Sequence, residues 1–318
     1  MEIILTGCAG DIGSNLMLSL LKEGHKVIGV DNFIRESPVF KKNMKHYAEF
    51  QDNYSCIQMD LCDLENVKNL DFSDKYLIHL AAYNGTVNFY KDPLSVFKNS
   101  LLPSLNLADV MQENKPLGIL YTSTSEIYAG GIELDIVSTP TSEDVPAIIN
   151  DVSNSRWSYA GAKLGGELIF NAFSSMTNVP TVVARVHNVY GPDFSTGHVI
   201  SDLINNFKKG IFEVIGPSET RSFCHINDLN KMILNIISST HDNIFEIYNL
   251  GNNEEINIGD LADMILLEQN IFKDIIEVPS REGSVKRRCP DISKYINKFG
   301  NPNFVNLKDG ISDLLGET

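Results

Sequence analysis

The run Ser123-Thr124-Ser125-Glu126 and the later stretch Tyr159-Ala160-Gly161-Ala162-Lys163 carry a hydroxyl set, a carboxylate, a phenol and an ammonium. Tyr159 and Lys163 are four residues apart, so on a helix they share one face. A tyrosine can take a proton from an alcohol only if its pKa falls, and a cation one turn away lowers it. Surface tyrosines and lysines at this spacing are common, so the pair takes its meaning from its surroundings.

Those surroundings begin at the N-terminus. Glu2–Thr6 reads as a short buried strand, followed by Gly7-Cys8-Ala9-Gly10-Asp11-Ile12-Gly13 and a helix with apolar Leu16, Leu20 and Leu21. A second strand, Lys26–Val30, ends in Asp31. Glycines at such a turn let the backbone approach a pyrophosphate, and the helix N-terminus offers N–H donors and positive dipole. A strand before, a helix after and an acid about 20 residues on form the context that a dinucleotide site requires. The alternative is a strand–turn–helix with no ligand. Asp31 suits a ribose 2′-hydroxyl and repels a 2′-phosphate, which favours NAD over NADP, although Arg35 nearby keeps NADP open. A bound oxidised nicotinamide would add a second positive charge acting on Tyr159.

Further strands are expected at Tyr54–Met59, ending at Asp60-Leu61, at Lys75–Leu80, ending at Ala81-Ala82, and at Leu117–Thr122 and Pro180–Val186. Helices are expected from Pro93 to Met111, where proline suits the first turn, and from Tyr159 to Met176. Strands alternating with helices imply a parallel sheet with right-handed crossovers. Such sheets bind ligands at the carboxyl ends of their strands, where Thr124, Glu126 and Asn188 fall. The expected fold is therefore α/β, a Rossmann-type doubly wound sheet with a smaller C-terminal α/β domain. After Gly191-Pro192 the pattern changes with no Gly/Ser/Pro-rich linker. The nucleotide-binding domain is assigned to residues 1–187, with 221–250 returning to it; 188–220 and 251–318 form the second domain.

Composition narrows the class. The chain has 318 residues and a formal charge of −15, which argues against nucleic acid and acidic membranes as partners. No apolar run is long enough to span a bilayer. Met1 leads straight into the first strand, so no signal peptide is expected. The five cysteines, Cys8, Cys56, Cys62, Cys224 and Cys289, are scattered and form no CxxC pair, so neither a disulfide framework nor a zinc site is indicated and a reducing cytoplasm is the expected home.

Taken together, these motifs resemble the extended short-chain dehydrogenase/reductases that modify nucleotide sugars. The resemblance spans nearly the whole chain. Besides the glycine turn it includes Asp31-Asn32, His79-Leu80-Ala81-Ala82, Asn99, Ser123–Tyr128, Arg185–Pro192, Thr220–Phe223, Asn249–Gly251 and Arg287–Ile292. It implies NAD as cofactor, held by Gly7, Gly10, Asp11, Ile12, Gly13, Asp31, Asn32, Asp60, Leu61, Leu80, Ala81, Ala82, Asn99, Thr122, Tyr159 and Lys163. It implies a nucleotide-diphosphate sugar in the second domain and homodimers through a four-helix bundle of helices near 93–114 and 159–176. Relatives of this kind often serve polysaccharide biosynthesis.

The same resemblance assigns roles. Tyr159 as phenolate takes the proton of the sugar C4 hydroxyl, Thr124 bonds that oxygen, and Lys163 bonds the nicotinamide ribose. Glu126 is a competent base for the C5 proton that a 4-ketone acidifies; the alternative is a solvated loop acid. Thr-Ser-Glu at this position is similar to 4,6-dehydratases and uronate decarboxylases, whereas simple 4-epimerases lack the acid. Ser125 stands where many dehydratases have aspartate. Asn84-Gly85-Thr86 occupies the substrate loop, without the Ala-x-Pro usual in decarboxylases. Glu282–Arg288 and His187-Asn188 are similar to GDP-mannose 3,5-epimerases. Asn188, Arg221 and Arg288 are expected on the substrate, with a turn asparagine and surface ion pairs as alternatives. Bidentate arginine suits a diphosphate. The expected activity is a 4,6-dehydratase, closely followed by a uronate decarboxylase, with a 4- or 3,5-epimerase next. A non-catalytic NAD sensor is disfavoured because Tyr159 and Lys163 are both present.

Overall fold

The computed structural model describes residues 1–240, 243–280 and 284–316, and of Thr86 only the backbone. Arg281, Glu282 and Gly283, two of which belong to the epimerase-like stretch, lie outside the described residues, as does the Thr86 side chain expected on the substrate. The core element is a seven-stranded sheet. Its first six strands in chain order are β1 (Glu2–Thr6), β2 (Lys26–Asp31), β3 (Tyr54–Gln58), β4 (Lys75–His79), β5 (Gly118–Thr124) and β6 (Thr181–Val186); the strand Phe245–Leu250 completes it. Across the sheet the order runs from Phe245–Leu250 through β6, β5, β4, β1 and β2 to β3. The pairings of β1 with β2 and β4, of β2 with β3 and of β4 with β5 are parallel. The order reverses between β1 and β4, and ligands of doubly wound sheets bind at such a switch point. The glycine turn follows β1 directly.

Local sequence explains the elements that frame this point. Helix α1 (Asp11–Lys22) buries Leu16, Met17, Leu20 and Leu21 on one side. Gly10 caps it without a side-chain hydrogen bond, so the first N–H groups are not consumed by a capping hydroxyl. The helix Pro93–Met111 starts with proline behind Asp92, whose carboxylate accepts from Ser95 N at 3.2 Å. The helix Trp157–Thr177 ends at Asn178 in the left-handed conformation. These two helices lie against each other closely enough that a Cβ on Gly165 would be 2.8 Å from Leu101 Cδ1. Beneath them the sheet contributes Ile4, Leu77, Ile119 and Val183 to an apolar core that Leu107, Met111, Phe170 and Phe173 cover. Each fully buried side chain of this size contributes about 1.5–3 kcal/mol.

The chain divides into two compact units. The first comprises Met1–Ile127, Asp151–Arg185 and Ile233–Tyr248; the second comprises Tyr128–Asn150, Val186–Met232 and Asn249–Thr318. Two segments group differently from the domain bounds set out above. Residues 128–150 leave the sheet after β5 and group with the second unit: Thr141 N donates to Cys289 O at 2.9 Å, Asp291 N to Thr141 O at 2.9 Å, and Asn249 Nδ2 to Thr141 O at 2.9 Å. Of 221–250, only 233–248 group with the sheet. The second unit has its own core, in which Tyr190, Phe207, Val214, Phe223, Leu261, Ile265 and Ile311 are buried.

Candidate active site

The cofactor cradle starts with a backbone constraint. Gly7 has φ +73°, and its N donates to Val30 O at 2.8 Å. Gly13 lies so close to the turn that a Cβ would sit 2.0 Å from Gly7 O. No side chain fits there, and the neighbour is backbone that cannot rotate away. Gly13→Ala should therefore open the turn and weaken NAD binding by at least about tenfold, measured by calorimetric titration; unchanged affinity would refute this cradle.

Asp31 closes the cradle on the other side. Its Oδ2 accepts from Ala9 N at 3.0 Å and its Oδ1 from Phe33 N at 2.9 Å. Burial raises its pKa, against hydrogen bonds from Phe33, Ala9 and Asn32 that lower it. Arg35 turns away from that carboxylate: its guanidinium donates to Asn84 O and lies 5.7 Å from the Tyr83 ring centroid. Asn32 Oδ1 accepts from Ile34 N at 3.1 Å. Farther along the strand ends, Asp60 Oδ1 accepts from Cys62 N at 2.9 Å, and Cys62 Sγ donates to Asn99 Oδ1 at 3.2 Å. Leu80 N donates to Thr6 O, Ala81 N to Thr6 Oγ1 and Thr122 Oγ1 to His79 O. Apart from Asn99, which lies on the Pro93–Met111 helix, these residues fall at or near the ends of β1, β2, β3, β4 and β5.

Strand β5 runs two residues further than expected, to Thr124, and Ser125–Tyr128 form a 3₁₀ turn. Thr124 Oγ1 accepts from Glu126 N at 3.3 Å. Glu126 Oε2 lies 3.1 Å from Arg156 Nη2, whose guanidinium sits 5.1 Å from the Trp157 ring centroid. Nothing in the sequence announces this ion pair, because thirty residues of chain separate its members.

Tyr159 is buried and stacks on Phe89, with centroids 5.4 Å apart and planes 14° apart. Phe89 carried no sequence signal. Burial, and after it the charge of Glu126, raises the Tyr159 phenol above its ordinary pKa. Lys163, one turn on, is 1% exposed and its pKa is lowered to about 7 by burial, against the opposing charge of Glu167. Its Nζ lies 4.5 Å from the Tyr121 ring centroid, a cation–π contact. The expected depression of the phenol is thus not supplied by the chain's own groups. Lys163 is only partly charged at neutral pH, and Glu126 acts in the opposite direction.

The lysine yields a pH prediction. A lysine whose pKa is lower folded than unfolded binds fewer protons when folded at every pH between the two values. Stability of the ligand-free protein should therefore rise with pH above about 7, by up to about 1.4 kcal/mol per pH unit. Urea unfolding of Lys163→Met at pH 7 and 9 should show that this gain is gone; an identical gain in both proteins would refute it.

Beneath the site, His79 bonds Thr6 Oγ1 at 2.7 Å through Nδ1 and Ser104 Oγ at 3.1 Å through Nε2, and burial lowers its pKa. It ties β1 and β4 to the Pro93–Met111 helix. The expected substrate loop is set by Gly85, at φ +133°, with Asn84 Oδ1 accepting from Gly85 N at 2.6 Å. In the second unit, Arg221 and Arg288 are register partners on parallel strands, which puts both guanidinium groups on one face. Arg221 Nη2 is 2.7 Å from Glu219 Oε2 and Arg287 Nη2 is 2.6 Å from Glu255 Oε2. Asn188 Nδ2 donates to Ser222 O at 3.0 Å. His187 packs beside Tyr128, with ring centroids 6.2 Å apart.

A glycine cradle at the switch point of a doubly wound sheet, an acid at the end of β2 and a buried tyrosine–lysine turn define a dinucleotide-dependent enzyme. The chain belongs to the NAD dependent epimerase/dehydratase family, whose sequence model matches residues 3–251. It is 29% identical over 317 residues to UDP-glucuronic acid decarboxylase 1 of Danio rerio, covering 98% of this chain and 71% of that protein. Its fold is similar to UDP-glucuronic acid 4-epimerase from Bacillus cereus, solved in complex with UDP-glucuronic acid and NAD, with a TM-score of 0.85, 25% identity and coverage of 100% and 99%. It is similar as well to the dTDP-glucose 4,6-dehydratase DesIV from Streptomyces venezuelae, with a TM-score of 0.86 over 99% and 96% of the chains; at 21% identity that likeness concerns the fold alone. The cradle around Gly7, Gly13 and Asp31 fits NAD, and no helix among the described residues is long and apolar enough to cross a membrane.

Proposed function

We propose that the protein oxidises C4 of a nucleotide-diphosphate sugar and then works at C5, as a 4,6-dehydratase. One observation carries this reading: the Glu126 carboxylate is held by Arg156 at 3.1 Å, near enough to Tyr159 for its charge to raise the phenol. A base beside the C4 oxidation centre has work to do only if a proton next to the new ketone is removed. NAD, when bound, would supply a reversible acceptor for the C4 hydride. Tyr159 takes the C4 hydroxyl proton, Thr124 holds that oxygen, and Lys163 holds the nicotinamide ribose. Glu126 removes the C5 proton and passes it to the departing C6 hydroxyl, which leaves as water with Ser125 beside it. Arg221 and Arg288 bind the diphosphate, and Asn84, Gly85, Thr86 and Asn188 contact the sugar nucleotide.

A second reading, uronate decarboxylase, is supported by the Danio rerio relative across 98% of the chain. There Arg288 holds the substrate carboxylate and the 4-keto acid loses carbon dioxide. Incubation with UDP-, GDP-, CDP- and dTDP-sugars and their uronates, read by mass spectrometry, separates the two. Loss of water supports the first and loss of carbon dioxide the second, while unchanged mass with a changed sugar would overturn both in favour of epimerisation.

The same proposal includes a homodimer. Leu94, Phe97 and Leu105 on Pro93–Met111, with Leu168 and Met176 on Trp157–Thr177, expose apolar side chains that a second copy would cover. A cytoplasmic home and a role in polysaccharide biosynthesis belong to it as well.

A further inference from the structure

Two cysteines meet beneath the cofactor cradle. Cys8, between Gly7 and Gly10 of the turn, is 0% exposed, whereas Cys56 on the edge strand β3 is exposed. Their sulfurs are 3.6 Å apart. The residues lie on elements separated by β2, and they meet because β2 carries Gly29 at the crossing point. A Cβ on Gly29 would be 2.8 Å from Cys8 Sγ and 3.1 Å from Cys56 Sγ. Any other residue at position 29 would wedge the two thiols apart.

We propose that Cys8 and Cys56 form a thiol oxidation site that takes hydrogen peroxide, and that the resulting disulfide weakens NAD binding. The Cys56 thiolate attacks one peroxide oxygen, breaking the O–O bond; the departing hydroxide leaves as water and Cys56 becomes a sulfenic acid. Cys8 then attacks that sulfur, the S–O bond breaks, and a second water leaves. Two thiols are oxidised to one disulfide and one peroxide is reduced to two waters. Exposure makes Cys56 the sulfur that meets peroxide first. The hydrogen bond from Cys8, and next that from Tyr54, lowers its pKa against burial, which favours the thiolate.

Closing the bond shortens the sulfur separation by about 1.5 Å. Cys8 is followed by Ala9, whose N–H binds Asp31 Oδ2 at 3.0 Å, and preceded by Gly7, which Gly13 packs against. Drawing Cys8 toward β3 would therefore displace the N–H groups of the glycine turn and the Asp31 carboxylate together. The inference rests on the NAD cradle and not on which sugar reaction follows.

The test treats the purified full chain with a small molar excess of hydrogen peroxide and maps disulfides by peptide mass spectrometry, with NAD affinity measured before oxidation, after it, and after dithiothreitol. A Cys8–Cys56 disulfide, an affinity loss of about tenfold or more and its recovery on reduction are expected. Cys56→Ser, a near-isosteric change at an exposed position, should bind NAD normally and resist the peroxide effect. Failure to form this disulfide, its formation with unchanged NAD affinity, or the same loss of binding in Cys56→Ser would each overturn the proposal.

Discussion

Tyr159→Phe should leave NAD affinity within about threefold of the parent while turnover falls by about a thousandfold or more, as expected when a positioned acid–base group is removed. Only the phenol oxygen is lost. The ring remains and keeps its stack on Phe89 at 5.4 Å, so the helix that carries Lys163 keeps its place. A thousandfold loss corresponds to about 4 kcal/mol of barrier. The environment explains why the loss is so large. Burial and the charge of Glu126 hold the phenol in its protonated form, so the chain alone does not make Tyr159 a base. The cationic ring of an oxidised nicotinamide would oppose both effects. In the proposed reaction the phenol would be activated only with the oxidised cofactor bound, which would tie proton removal to hydride acceptance. In a single turnover with excess enzyme, the parent should show transient nicotinamide absorbance and Tyr159→Phe should show none. Unchanged turnover in the variant would remove Tyr159 from the reaction altogether.

The sheet and its ligand edge were legible because their signals are local. A run such as Glu2–Thr6 followed by Gly7, Gly10 and Gly13 has a single easy reading, since backbone packing excludes side chains at Gly13. The Tyr159–Lys163 relation was equally plain, because helical geometry fixes the position of a residue four places on. What escaped sequence reading depends on chain that returns from elsewhere. Arg156 reaches Glu126 only because the Trp157–Thr177 helix begins at the end of β5, and Phe89 meets Tyr159 from a short helix whose sequence is unremarkable in its polarity. Residues 128–150 were read as part of the nucleotide-binding domain because they directly follow β5. They group with the second unit, where Thr141 N donates to Cys289 O and Thr141 O accepts from Asp291 N, partners that no local pattern announces. The sign of the effect on Tyr159 was hidden too, since burial cannot be seen from the spacing of a phenol and an ammonium.

Glu126→Gln should separate the two halves of the reaction. Oxidation at C4 needs Tyr159 and the cofactor, and should persist. Exchange of the C5 proton with solvent deuterium should fall by about a thousandfold, the range for loss of a general base. The amide is isosteric with the carboxylate and can still accept from Arg156, so the Arg156–Trp157 stack at 5.1 Å has no reason to move. A second consequence runs the other way. The Glu126 charge is one of the two causes that raise the Tyr159 phenol, so its removal should lower that pKa. The alkaline rise in the C4 oxidation rate should therefore shift to lower pH in Glu126→Gln, even as product formation stops. Arg156→Gln provides the complementary case: the carboxylate stays but loses its counter-charge and its anchor, so the same limb should shift to higher pH and C5 exchange should slow without vanishing. Arg156→Lys should restore part of both. A solvated loop acid would produce neither the loss of exchange nor opposite pH shifts in the two variants. Persistent C5 exchange in Glu126→Gln would assign the base to another group while leaving the C4 chemistry of Tyr159 intact.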